Sequence, residues 1–82
     1  MILIVCIMKA YVQIAVESGK EVVVQAALKK IPQCKEAHVV FGDWDIISLL
    51  EIADPGELAL LIVSKIRPIP GVKITKTLVV AK

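Results

Sequence analysis

The sequence predicts an α+β fold in which two amphipathic helices cover one face of a four-stranded antiparallel sheet. Three observations lead there. Two stretches carry apolar residues at helical spacing, each opened by a capping signal and closed by proline; four strand-like runs surround them; and a Gly-containing connection joins the middle two runs as a hairpin.

The first run extends from Ile2 to Val16 and is rich in β-branched residues, as strands favour. Glu17-Ser18-Gly19-Lys20 follows, with Ser18 expected as a helix N-cap and Glu21, three residues on, completing a capping box. Val24, Ala27, Leu28 and Ile31 then fall at i, i+3, i+4 and i+7, while Glu21, Gln25, Lys29 and Lys30 point elsewhere. Pro32 ends that helix, since proline removes a donor and disfavours helical geometry before it. The next two strands are 35–41 and 45–53, joined by Gly42, Asp43 and Trp44. Asp54 is placed to cap a second helix, Pro55 suits its first position, and Glu57 completes another box. Its inward stripe is drawn through Leu58 or Ala59, Ile62, Val63 and Ile66, with Leu60 and Leu61 partly off it. Arg67 to Gly71 closes the helix and 72–80 is the last strand. The order β-α-β-β-α-β is the ferredoxin-like, split βαβ arrangement.

All 82 residues make one domain, with 1–8 an apolar extension of the first strand and Met8 an alternative start. A chain this short hides only roughly 60 to 65% of its unfolded surface, so it needs added stabilisation. Disulfides and metals are the usual staples of small domains. Here Cys6 and Cys34 are far apart and outside any ligand spacing. The apolar fraction of 57% instead exceeds what a two-layer monomer can bury. Ala10, Val12, Ile14 and Val16 are apolar in one register and Tyr11 and Ala15 in the other, while Ile46, Leu50 and Ile52 oppose Ile47 and Leu49. Both sheet faces therefore read as buried, one under the helices and one against a second copy, as in a dimeric α/β-barrel-like sandwich.

Net charge is +2, with dispersed lysines, one arginine and three aromatics, which argues against a surface that tracks phosphates and stacks bases. The opening apolar run of eight residues lacks a preceding basic residue and is too short to span a bilayer. The expected compartment is the cytoplasm, with reduced cysteines, and neither direct nucleic-acid nor membrane partners are expected.

Catalytic chemistry has little to build on. His38 is the sole histidine, Cys34 lacks the helix N-terminus or cationic surround of a nucleophilic thiolate, and Asp43 and Asp45 flank a turn that favours Asp anyway. No Gly-rich phosphate loop precedes a helix. The hairpin offers something else: Gly42 lets the backbone turn with its amides exposed, Trp44 provides an apolar wall, and Asp45 puts a carboxylate beside them. An amino-acid zwitterion asks for such a set, because its ammonium wants a carboxylate, its carboxylate wants donors and its side chain wants a wall. A plain turn with a packing Trp is the competing reading.

Ala10-Tyr-Val-Gln-Ile14, Gly19-Lys20 opening a helix, Gly42-Asp-Trp-Asp-Ile46 at the hairpin, and Ile66-Arg-Pro-Ile-Pro-Gly-Val72 followed by Thr75-Lys-Thr77 together resemble the effector-binding (RAM) domain of Lrp/AsnC transcriptional regulators. The resemblance spans Lys9 to Val80 and lacks the helix-turn-helix that full-length regulators carry ahead of it, as in a stand-alone form. It implies a sheet-to-sheet homodimer, dimers assembled into a ring, typically an octamer, and a small amino acid bound between dimers. On this reading the chain co-assembles with full-length regulators and has no resident cofactor, and the poverty of reactive groups predicts no enzymatic activity. Carried over by position, the ligand-binding residues are Gly42, Asp43, Trp44 and Asp45 at the hairpin, Thr75 and Thr77 of the T-x-T, and Leu78, Val79 and Val80 after it. Two alternatives stand beside this reading: a small dimeric α+β barrel enzyme with His38 or Trp44 facing a cavity between helices and sheet, and a purely structural oligomer.

Overall fold

The computed structural model describes residues 7–82. Residues 1–6 of the expected apolar extension, including a strand start at Ile2, lie outside them; Ile7 is exposed and Met8 opens the first strand. The elements are β1 (Met8–Val16), α1 (Glu21–Lys29), β2 (Cys34–Val39), β3 (Ile46–Ile52), α2 (Pro55–Leu61), a π-helical turn at Ile62–Ile66 that continues α2, and β4 (Val72–Val79). The sheet order is β2-β3-β1-β4, antiparallel throughout, so β1 sits between β3 and β4. This is the ferredoxin-like fold the sequence predicts.

Period-two alternation in the central strands decides what is buried. Ala10, Val12 and Ile14 of β1 and Ile46 and Leu50 of β3 are fully buried, with Val16 and Ile52 nearly so, beneath Val24 and Leu28 of α1 and Leu58, Leu61 and Ile66 of the second helix. Among the described residues Ser48 is the one buried polar side chain, and its hydroxyl donates to the Val12 carbonyl at 3.3 Å. A buried hydroxyl with a partner costs little; without one it would be destabilising.

The second helix starts as its sequence dictates. Asp54 caps it, with Oδ1 accepting from the Glu57 backbone N–H at 2.8 Å, Pro55 is its first residue, and Glu57 Oε2 accepts from the Ala53 N–H at 3.0 Å. The first helix starts differently. Its N-cap is Lys20, with no side-chain cap, because Ser18 falls inside a turn closed by the Lys20 N–H donating to the Glu17 carbonyl at 3.0 Å. α1 nevertheless buries Val24 and Leu28, with Ile31 just beyond it, as its spacing predicts.

The inward stripe of the second helix also departs from expectation. The Arg67 N–H donates to the Ile62 carbonyl at 2.8 Å, five residues back, which widens the last turn. Leu61 and Ile66, five apart, therefore share the buried face, while Val63, expected to point inward, is 59% exposed. Leu61→Ala should cost about 2–5 kcal/mol in chemical denaturation. Val63→Ala should stay within about 0.5 kcal/mol; the reverse order would place the helix in the wrong phase.

The second face of the sheet is uncovered within one chain. Leu78 of β4, Tyr11 of β1 and Leu49 of β3 are register neighbours across three strands, with Ile47 one same-face row farther along and Ile74 two. Tyr11 is 42% and Leu78 49% exposed. Glu36 and His38 lie on the same face, opposite Leu49 and Ile47.

Candidate ligand site

The β2–β3 hairpin is wider than the three residues expected. β2 ends at Val39 and β3 starts at Ile46, and the Val40 N–H donating to the Asp45 carbonyl at 2.9 Å closes the loop between them. Asp45 leaves the β2–β3 ladder because it is held by β1. Its N–H donates to the Ile14 carbonyl at 3.0 Å, and its Oδ2 accepts from the Val16 N–H at 2.9 Å, standing in for the next ladder acceptor. The carboxylate thus ties the hairpin to the end of the central strand and keeps a second oxygen.

Gly42 turns the loop with φ of +145°, a conformation that L side chains rarely adopt, although a Cβ would meet nothing within 4 Å. Asp43 is exposed, Trp44 and Asp45 are half-buried, and Phe41 projects fully into solvent at the tip. Thr75 and Thr77 lie half-buried on β4, opposite Ile14 and Val12. Leu78, Val79 and Val80 are exposed farther along β4, with Leu78 and Val79 opposite Tyr11 and Ala10 and the Val80 N–H bonded to the Lys9 carbonyl at 2.9 Å.

The residues named from sequence therefore fall in two places. Gly42 to Asp45 and Thr75 flank the end of β1, the hairpin on its β3 side and Thr75 on its β4 side, whereas Leu78 to Val80 lie beside its beginning. With about 3.3 Å per strand residue and about 4.8 Å between strands, roughly 13 Å along and 10 Å across separate Asp45 from Leu78. One chain does not close these groups around a molecule as small as an amino acid.

Beside Thr75 lies a feature that sequence spacing did not reveal: a groove of about 370 Å³ lined by Arg67, Val72, Lys73, Ile74 and Thr75. Its two cations and hydroxyl suit a carboxylate. Arg67 comes from the helix end and Lys73 from the start of β4. Gly71 brings them together: its φ is +103° and a Cβ there would lie 2.9 Å from that of Lys20. The Glu17 N–H donating to the Gly71 carbonyl at 2.8 Å locks that loop to the end of β1.

The remaining reactive groups have structural surroundings. His38 Nε2 lies 3.0 Å from Glu36 Oε1, both exposed on the uncovered sheet face rather than in a cavity under the helices. Burial pushes the Cys34 thiol up, opposed by a backbone hydrogen bond at Glu36 and by the charges of Lys29 and Lys35, and a raised thiol is the opposite of nucleophile activation. Among the described residues no cluster of three His, Cys, Asp or Glu could hold a metal, and no helix is long and apolar enough to cross a membrane.

Residues 9–82 match the family model of the Lrp/AsnC ligand binding domain. The chain belongs to the Lrp/AsnC family. An uncharacterized HTH-type transcriptional regulator from Pyrococcus furiosus is 42% identical over 60 residues, covering 73% of this chain and 39% of that protein. The chain spans about two fifths or less of the length of the curated relatives it matches, which are named as HTH-type transcriptional regulators. The crystal structure of FFRP-DM1 superposes with a TM-score of 0.85 at 33% identity, covering 89% of this chain and 97% of that one. A Neisseria meningitidis transcriptional regulator solved with L-Met has the same fold, with a TM-score of 0.82 at 16% identity over 92% of this chain and 50% of its own.

The dual attachment of Asp45 makes a stability test possible before any ligand is known. Asp45→Ala removes the acceptor for the Val16 N–H and should lower unfolding free energy by about 1–3 kcal/mol. Asp45→Asn keeps an oxygen there and should recover most of that loss in urea denaturation; equal losses would show that the bond carries no weight.

Proposed function

We propose that this Lrp/AsnC domain is a ligand-binding and assembly module that takes a small amino acid between dimers and modulates transcription, or co-assembles with full-length regulators of its family in the cytoplasm. Two copies pair through the uncovered sheet face, and pairs join into a ring, an octamer. The observation that carries the reading is the division of the ligand groups between the two ends of one sheet, which leaves a second copy to complete the enclosure. The L-Met complex of the Neisseria regulator supports the ligand class, and the family's ligand-binding description supports the role.

In this reading the free oxygen of Asp45 receives the ammonium, the hydroxyl of Thr75 with Arg67 and Lys73 receives the carboxylate, and Trp44 borders an uncharged side chain. Gly42 and Asp43 keep the hairpin open at the junction. Thr77 and Leu78 to Val80 come from a neighbouring copy. His38 and Cys34 take no part.

A thermal-shift screen of the assembled protein against the twenty amino acids, L-Met among them, tests this. At about 100 times the dissociation constant a single ligand adds about 2.7 kcal/mol of stability, an easily read rise in Tm. The expected result is a rise with one or a few uncharged amino acids that is lost in Asp45→Asn and weakened in Thr75→Val. No response to any of the twenty removes the sensing role and leaves a structural oligomer.

A further inference from the structure

The helix layer carries a groove that the proposed amino-acid site does not use. It lies between the chain leaving α1 and the flank of α2 with its π turn, and it is lined by Lys30, Ile31, Pro32, Gln33, Leu61 and Lys65. Its volume of about 380 Å³ falls in the roughly 300–1,000 Å³ range of small-ligand pockets. Ile31 and Leu61 are buried residues of the core cluster, so the groove has an apolar floor, while Lys30 and Lys65 are exposed at its rim. A smaller hollow of about 160 Å³ shares Gln33, Leu61 and Lys65 and runs on to Glu57 and Leu60.

Positive charge collects here. Lys35 Nζ donates to the Pro32 carbonyl at 3.3 Å, which holds a third ammonium beside the same groove. The ion pair found among the described residues is His38 with Glu36, so none of the three lysines is neutralised by a carboxylate within salt-bridge distance. The groove is also remote from the hairpin. The Gln33 carbonyl accepts from the Glu51 N–H at 2.9 Å, six residues along β3 from Asp45, or about 20 Å.

We propose that this groove is a second ligand site, for a small apolar carboxylic acid without an amine. The acid's hydrocarbon tail lies on Ile31, Pro32 and Leu61, its carboxylate sits between Lys30 and Lys65, and the Gln33 amide is within the same lining to donate. Charge complementarity selects that occupant. A neutral apolar molecule leaves the lysines unanswered, and an amino acid carries its own ammonium toward them, where like charges repel.

Two-dimensional NMR titrations of the intact protein with 4-methylpentanoate, 4-methylpentanamide and leucine test the assignment. The acid should shift resonances of Lys30 to Gln33 and Leu61 to Lys65, with the amide and leucine at least about tenfold weaker. The double variant Lys30→Met, Lys65→Met should weaken the acid by about tenfold without lowering Tm. Asp45→Asn should leave acid binding unchanged, so this site and the amino-acid site fail independently. Equal binding of acid and amide, shifts confined to other residues, or none in the millimolar range overturns the proposal. A Leu- and Glu-containing peptide that moves these resonances where the free acid does not makes the groove a protein-docking surface, and the assignment fails.

Discussion

Burial of Ala10, Val12, Ile14 and Val16 under the helix layer sets the rest of the molecule. Because β1 lies between β3 and β4, its register fixes both neighbours, and a slip of one residue would turn Tyr11 inward and Ile14 outward. Burying each Val or Ile side chain contributes about 1.5–3 kcal/mol, so such a slip forfeits several of these at once. The same register aligns Leu78, Tyr11 and Leu49 on the opposite face. The fold that satisfies one apolar face therefore creates the other, and a chain of 82 residues has little further core with which to hide it.

The end of β1 is where this constraint meets the proposed ligand site. The ladder to β3 stops at Ile14 and Ile46, and the Asp45 carboxylate carries it one bond farther to Val16. On the other side Gly71 fastens the β4 entry to Glu17. Hairpin, β4 entry and helix end converge there, so Asp45, Thr75, Arg67 and Lys73 owe their positions to central-strand pairing. The exposed last residues of β4 lie at the far end of the same strand. That separation is the physical basis for assigning the ligand to a junction between copies.

Legibility in the sequence followed the locality of the signal. Asp54-Pro55-Gly56-Glu57 encodes a helix start within four residues, and the structure places each as read. Val24, Leu28 and Ile31 were legible because regular α spacing holds through α1. Val63 faces outward where α spacing predicts inward, because a π turn changes the residue period and leaves no signature in composition. Ser18 has the composition of a cap but does not act as one, because its turn closes on Glu17. For the candidate site, Gly42, Trp44 and Asp45 announce a hairpin, but that Asp45 already serves Val16 is a contact across 29 positions of sequence. Arg67 and Lys73 form a groove with Thr75 only because Pro68 to Gly71 folds back on β1, which no spacing rule reports.

Pairing through the Tyr11, Leu49 and Leu78 face is the proposal on which the ring and the shared ligand site both rest. Sedimentation equilibrium of the wild-type chain and of Leu78→Lys, with circular dichroism to confirm that the variant folds, tests it most directly. Sheet pairing gives a wild-type mass that is an even multiple of the 8.9 kDa chain and a folded variant shifted toward the single chain. A wild-type monomer across the concentration range, or a variant assembly identical to wild type, would contradict it.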